Sequence, residues 1–308
     1  MNSSTTGKTS LNLVGLLIAL AGAILFSTKA IIVKKAFVAQ NVDAVSLLTL
    51  RMAFSLPFYV LAAYLVSNRE GNIRMTIKQW ALTFLIGLTG YYLSSLFDFI
   101  GLQFISAGLE RLILFLYPTF AVLLNRFVFN QPIARIQWIA LALTYLGIAV
   151  AFSGEIRITG ADENLWRGSG WVFLCAVTFS IYLVGSGKII PKIGPTKFTA
   201  YAMLAATVGV FLHFLSVGNY SQVTNIGALL PYGFLLAIVA TVAPSFLISN
   251  AMKRIGSNNV AIISSIGPVS TILQAHFVLG EKIFAEQIIG TLLVVSGVLL
   301  LGWKRAES

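Results

Sequence analysis

Ten stretches of this chain are apolar for long enough to cross a lipid bilayer, and that leaves little choice of fold. A helix needs about 20 mainly apolar residues to traverse the hydrocarbon core. Inside lipid the backbone must satisfy its own N–H and C=O groups, which a helix does. The runs lie at residues 11–33, 45–66, 80–102, 105–126, 135–153, 168–187, 198–217, 229–250, 259–279 and 285–303. Only 10% of the 308 residues are charged and 57% are hydrophobic, whereas a soluble domain carries roughly 25% charged residues. Such a chain cannot cover a water-facing surface, and the expectation is an all-α polytopic membrane protein. The first run outlasts the apolar core of a signal peptide, about 7–15 residues, and Lys34-Lys35 follows it. It reads as an uncleaved first span.

The basic residues orient the spans. The N-terminal segment and every second loop hold Lys8, Arg69, Arg74, Lys78, Arg126, Arg135, Lys188, Lys192, Lys197, Lys253, Arg254, Lys304 and Arg305. The opposite loops hold Lys34, Lys35, Arg157, Arg167 and Lys282. Cytoplasmic loops carry the Lys/Arg excess, so both termini are expected in the cytoplasm. The net charge of +11 is thereby explained by topology and gives no support to nucleic-acid binding. A single Cys175 beside His213 and His276 supplies no disulfide, metal or redox cluster, and no cofactor is expected. Gly185-Ser186-Gly187-Lys188 fails as a phosphate loop because Tyr182 and Ile189 stand where Gly and Ser or Thr are needed. Asn219-Tyr220-Ser221 is a glycosylation sequon on an expected outer loop.

A displacement of 150 positions lays residues 106–152 on 256–302 without a gap. Pro118 meets Pro268, Gln137 meets Gln287 and Gly147 meets Gly297. More weakly, Gly15 and Ala21 meet Gly170 and Ala176. The chain therefore reads as two five-span repeats, 11–153 and 168–303, joined by a polar loop over 154–167. Five is odd, so the second copy enters the membrane from the other side. Inverted repeats with broken helices at their interface are a signature of secondary transporters.

Gly22-Ala23-Ile24-Leu25-Phe26-Ser27-Thr28-Lys29, Leu50-Arg51-Met52-Ala53-Phe54, Gly280-Glu281-Lys282 and Ser296-Gly297-Val298-Leu299-Leu300 resemble the EamA-type drug/metabolite transporters. In the first half Asn130-Gln131-Pro132 replaces the Gly-Glu-Lys. The resemblance implies a 5+5 inverted repeat in the cell (inner) membrane with a central cavity between the halves. Spans 5 and 10 would be peripheral. It implies export or exchange of small metabolites, often amino acids.

Ionisable residues within spans are costly and usually kept for a task. Lys29, Arg51, Asp98, Glu110, Arg111, His213 and His276 all fall toward the outer side. The acids are expected to pair with Lys29, Arg51 or Arg111, leaving one cation spare for a substrate carboxylate. The competing reading makes these packing ion pairs. Helical spacing adds polar stripes through Tyr91, Ser95 and Asp98, through Thr241, Ser245 and Ser249, and through Ser264, Thr271 and Gln274. With Tyr117 and Tyr182 these would line a cavity among spans 1, 3, 4, 6, 8 and 9, unless the hydroxyls only bond their own helices. Pro118 and Pro268 are expected flex points, and His213 and His276 candidate proton carriers. The leading reading is a secondary transporter exporting or exchanging a small zwitterionic or anionic metabolite, amino acids first, with the bilayer as partner and a monomer or homodimer as assembly. Uptake of a bulkier metabolite, drug efflux on the same fold, or an intramembrane lipid enzyme are the alternatives.

Overall fold

In a computed structural model the protein is described over residues 13–69, 72–130, 132–133, 135–218 and 226–303. The sequon and the terminal basic residues Lys8, Lys304 and Arg305 lie outside these, as does Gln131. Among the described residues the regular structure is entirely helical. In the first half, α1 is Leu13–Gln40 and α2 is Ala44–Ser67. Span 3 joins α3 (Ile77–Gly87), a π-helical stretch Leu88–Leu93 and α4 (Ser94–Leu102). Span 4 joins α5 (Ala107–Leu114) to α6 (Tyr117–Phe129), and α7 is Arg135–Thr159. The second half runs α8 (Glu163–Ile193), α9 (Pro195–Val217), α10 (Ile226–Ala237), a π-helical stretch Ile238–Val242, α11 (Ala243–Ser264), α12 (Gly267–Gln274), a third π stretch Ala275–Leu279 and α13 (Ala285–Trp303).

Local chemistry sets several boundaries. Side-chain oxygens of Asp43, Thr76, Ser106 and Asp162 accept from the first free amides of α2, α3, α5 and α8, which otherwise lack partners. Span 4 does not bend at its proline but breaks before it. Pro118 can return no N–H to the carbonyl of Leu114, the chain leaves the helix at Phe115–Leu116, and α6 restarts with proline in its first turn. Span 9 repeats the break at Ser265–Ile266 before Pro268.

The 150-residue displacement runs through the whole structure. It relates the starts of α1 and α8, of the π stretches in spans 3 and 8, of α6 and α12, and of α7 and α13. Packing obeys the same exchange. Helix α1 packs on α11 as α8 packs on α4, and α1 packs on α12 as α8 packs on α6. The pairs α2·α9 and α7·α13 each join equivalent helices. In the last pair Gly147 faces Gly290 while Gly297 faces Ala140 and Thr144. Equivalent helices thus run antiparallel, which is the inverted relation. Bare backbones let them approach closely, the usual basis of helix association in lipid.

Three expected boundaries shift. Helix α1 continues to Gln40, so Lys29 stands ~24 Å from its start and ~16 Å from its end, nearer the middle than the outer edge. Residues 154–159 complete α7 and 163–167 open α8, leaving only Gly160–Asp162 as connection in place of a loop over 154–167. Between spans 8 and 9 the backbone stays helical through Ser264 yet must reverse. Gly22 faces Ile248 and Gly15 faces Ile255, but by Gly267 the chain is back beside Ser27.

Candidate functional site

The breaks in spans 4 and 9 meet at the interface of the two halves, and the buried charges gather around them. Six of the expected residues come together. Lys29 on α1 reaches Asp98 on α4 at 2.7 Å, with Asp98 fully buried and Lys29 14% exposed. Glu110, the fourth residue of α5, is also fully buried. Its partner is not a cation, as the charge count suggested, but the carboxyl of Asp98, with which it stands in hydrogen-bonding contact. Rotation of α5 explains this: Arg111, the next residue, points toward α12 instead, so that the guanidinium overlies Gly267.

Arg51 on α2 is buried without a carboxylate of its own. Its Nε donates to Thr241 Oγ1 at 2.8 Å and its Nη1 to Ser95 Oγ at 3.0 Å, while the guanidinium lies 5.7 Å from the centre of the Phe99 ring. The π stretch of span 8 makes the first bond possible. It widens the helix so that Thr241 donates back five residues to the Leu236 carbonyl at 2.7 Å and turns an oxygen lone pair toward Arg51. The equivalent π stretch carries Tyr91, whose hydroxyl meets that of Tyr182 at 2.7 Å. Gly90 beneath it has no Cβ because the Tyr182 ring occupies that space.

Arg111 is half-buried. Its guanidinium lies 5.7 Å from the Phe115 ring centre, it makes no hydrogen bond or ion pair with the described residues, and Nε is buried without an acceptor. Tyr117 stands near it, in T-shaped contact with Phe115 and Phe179 at 5.6 and 5.1 Å. The Thr271 hydroxyl, on the α12 turn after Gly267, is likewise buried without a partner.

The remaining expected residues lie apart. Ser245 bonds Thr241's carbonyl and receives Tyr59 at 3.2 Å, a layer removed from Arg51. Gln274 donates to Ser270 on its own helix. Ser264 sits at the break in span 9 with no polar contact to the cluster, and the Ser249 side chain lies outside the described set. His213 packs on the Tyr92 ring, and His276 is exposed against Phe277 and the Glu281 carbonyl. Neither histidine approaches the carboxyls. A histidine on an apolar helix face can pack on a ring as readily as carry a proton, so residue type alone did not separate these roles.

The outer end carries residues that were read only as a motif. Gly280 takes φ 72°, a left-handed turn that costs glycine nothing. The turn swings Glu281 onto the start of α5, where it accepts from Ala107 N at 2.9 Å and Gly108 N at 3.3 Å. Lys34 donates to the Ile105 carbonyl at 2.7 Å, and buried Glu155 bonds Ser106. These contacts tie α1, α7 and the turn at Gly280 to the loop that leads into α5.

A buried ion pair, discontinuous helices and inverted five-span halves define a multi-pass membrane transporter. Matches with known proteins narrow the class. The model of the EamA-like transporter family matches residues 13–153 and 166–303. The chain belongs to that family. It is 29% identical to an uncharacterized transporter of Bacillus subtilis (strain 168), YcbK, across 90% of this chain and 88% of that protein. It is 26% identical to an uncharacterized transporter of Synechocystis, sll1319, across 97% and 96%. A solved crystal structure shares the fold, with a TM-score of 0.64 and 20% identity over 96% of this chain and 99% of the other.

Proposed function

We propose that the protein is a secondary transporter that exports or exchanges a small carboxylate-bearing metabolite, amino acids first, by alternating access around Arg111. The supporting observation is the Arg111 guanidinium at the crossing of the two helix breaks, which makes no hydrogen bond or ion pair with the described residues. Arg111 is half-buried with its Nε shut off from any acceptor, and a carboxylate would supply charge-assisted bonds to it. The first turn of α12 beside it adds partial positive charge. Asp98 is taken by Lys29 in an ion pair, and Arg111 faces the two carboxyls without bonding to either. Asp98 and Glu110 are buried in this conformation, and Lys34, Glu155 and Glu281 hold the loop beside them. The carrier reading is preferred to an intramembrane lipid enzyme because these side chains bind and neutralise charge and none is set beside a base as a nucleophile would be.

A second reading draws on the aromatic wall of Tyr117, Phe179 and Tyr182, whose rings follow one another at 5.1 and 5.6 Å. That wall would suit a bulkier or aromatic substrate, in uptake or in drug efflux on the same fold. Purified protein in liposomes, screened with labelled amino acids of increasing side-chain size, tests both. Saturable flux of small amino acids supports the first reading, and flux confined to large aromatic ones supports the second. Turnover of lipid substrates without any flux would contradict both.

A further inference from the structure

The contact between Asp98 and Glu110 has a chemical requirement of its own. Both carboxyls are fully buried and in hydrogen-bonding contact. Apart from the Lys29 ion pair to Asp98 Oδ2, no N–H or O–H of the described residues donates to any of their four oxygens. Ionised carboxylates only accept hydrogen bonds. Two of them in contact, away from water, would repel with nothing between them, whereas one proton converts the repulsion into a strong O–H···O⁻ bond. Buried polar atoms without partners call for an explanation, and here a single proton supplies the missing donor.

We propose that Asp98 and Glu110 form one proton-binding site, sharing a proton while both are buried and carrying the coupling proton of transport. The groups around the pair fit a single shared proton. Lys29 on α1 balances the one remaining negative charge at 2.7 Å. Arg51 on α2 approaches Asp98 while its Nε and Nη1 donate to Thr241 and Ser95. Arg111 on α5 faces both carboxyls from the side of α12. Cys175 on α8 lies near the pair and meets Ser94 at 3.3 Å. Loss of the proton leaves two adjacent buried anions, which favours opening to water. Opening and deprotonation are thus linked. Because α4 and α5 flank the outer loop held by Lys34, Glu155 and Glu281, the release path leads outward. The histidines, remote from the pair, take no part.

The coupling role rests on the transport reading above, whereas the proton itself does not. Infrared spectroscopy of purified protein at neutral pH tests the proton directly. A protonated-carboxyl carbonyl band is expected in the wild type and expected to vanish in Glu110→Gln and in Asp98→Asn. No band in the wild type, or an unchanged band in both variants, overturns the site. Flux in liposomes, with a mixture of labelled amino acids as probe, tests the coupling. An imposed gradient should raise accumulation about tenfold per pH unit at one proton per substrate, since one unit is a tenfold proton ratio. The ratio of flux with and without the gradient should fall to about one in Glu110→Gln. A gradient-insensitive wild type overturns coupling. A wild type that moves no amino acid contradicts the substrate reading, and the infrared band still decides the proton site.

Discussion

At the scale of single residues, the site is governed by the cost of isolating a charge from water. Lys29 and Asp98 answer one another at 2.7 Å. Removing one partner of a buried pair leaves the other uncompensated, typically at ~3–5 kcal/mol. Lys29→Met is therefore expected to lower the thermal unfolding midpoint of the purified protein markedly, and Lys29→Met with Asp98→Asn to recover much of it. Fluorescence-detected melting of the wild type, both single variants and the double variant measures this coupling. Additive losses would show that the pair does not interact. At the outer loop, Glu281→Ala frees the amides of Ala107 and Gly108, with a cost of ~1 kcal/mol expected for a lost helix cap. Faster hydrogen exchange at the start of α5, with little change in the middle of α7, is the expected result.

At the scale of elements, the broken helices of spans 4 and 9 are the features most open to test. Pro118→Ala and Pro268→Ala supply the N–H that would let a continuous helix form across each break. Both variants are expected to insert and fold, and both to show altered transport kinetics in liposomes. Unchanged kinetics in both would deny the breaks a role. The break was only partly legible in the sequence. Proline at 118 and 268 announced an interrupted hydrogen bond, but whether a helix bends or restarts depends on packing across the interface. Span positions were legible because length and apolarity report directly on the bilayer. The ends were not, since Glu155, Arg157, Glu163 and Arg167 are polar yet helical, and hydropathy measures the membrane rather than the helix. The members of the charged cluster stood out as polar interruptions of apolar runs. Their pairing did not, because it turns on helix rotation. Glu110 faces α4 and its neighbour Arg111 faces α12. Thr241 was visible in a polar stripe, but its bond to Arg51 needs the π stretch of span 8, which no periodicity announces.

At the scale of the whole molecule, one symmetry organises everything described. The exchange of α1·α11 with α4·α8 and of α1·α12 with α6·α8 is the symmetry that the proposed alternating access would use. Helices α7 and α13 hold the periphery through Gly147, Gly290 and Gly297. A Cβ at Gly147 would fall 2.6 Å from the Gly290 carbonyl, so Gly147→Leu is expected to separate the helices and cut the yield of folded protein. Size-exclusion chromatography reads this out, and a normal profile would refute the close approach. The charges break the symmetry, since Val260 and Ala261 stand where Glu110 and Arg111 have their equivalents. On the proposed reading the substrate is recognised mainly by one half, at its contact with the other. The central claim is that Arg111 receives a carboxylate. Its most direct test is flux of an amino acid and of the amine lacking its carboxylate, in wild type, Arg111→Lys and Arg111→Gln. The account predicts that the wild type carries the acid and ignores the amine. It predicts that Arg111→Gln raises the KM for the acid about 10- to 100-fold, the equivalent of ~1.5–3 kcal/mol for a hydrogen bond to a charged group. Equal flux of acid and amine in the wild type, or an unchanged KM in Arg111→Gln, would contradict it.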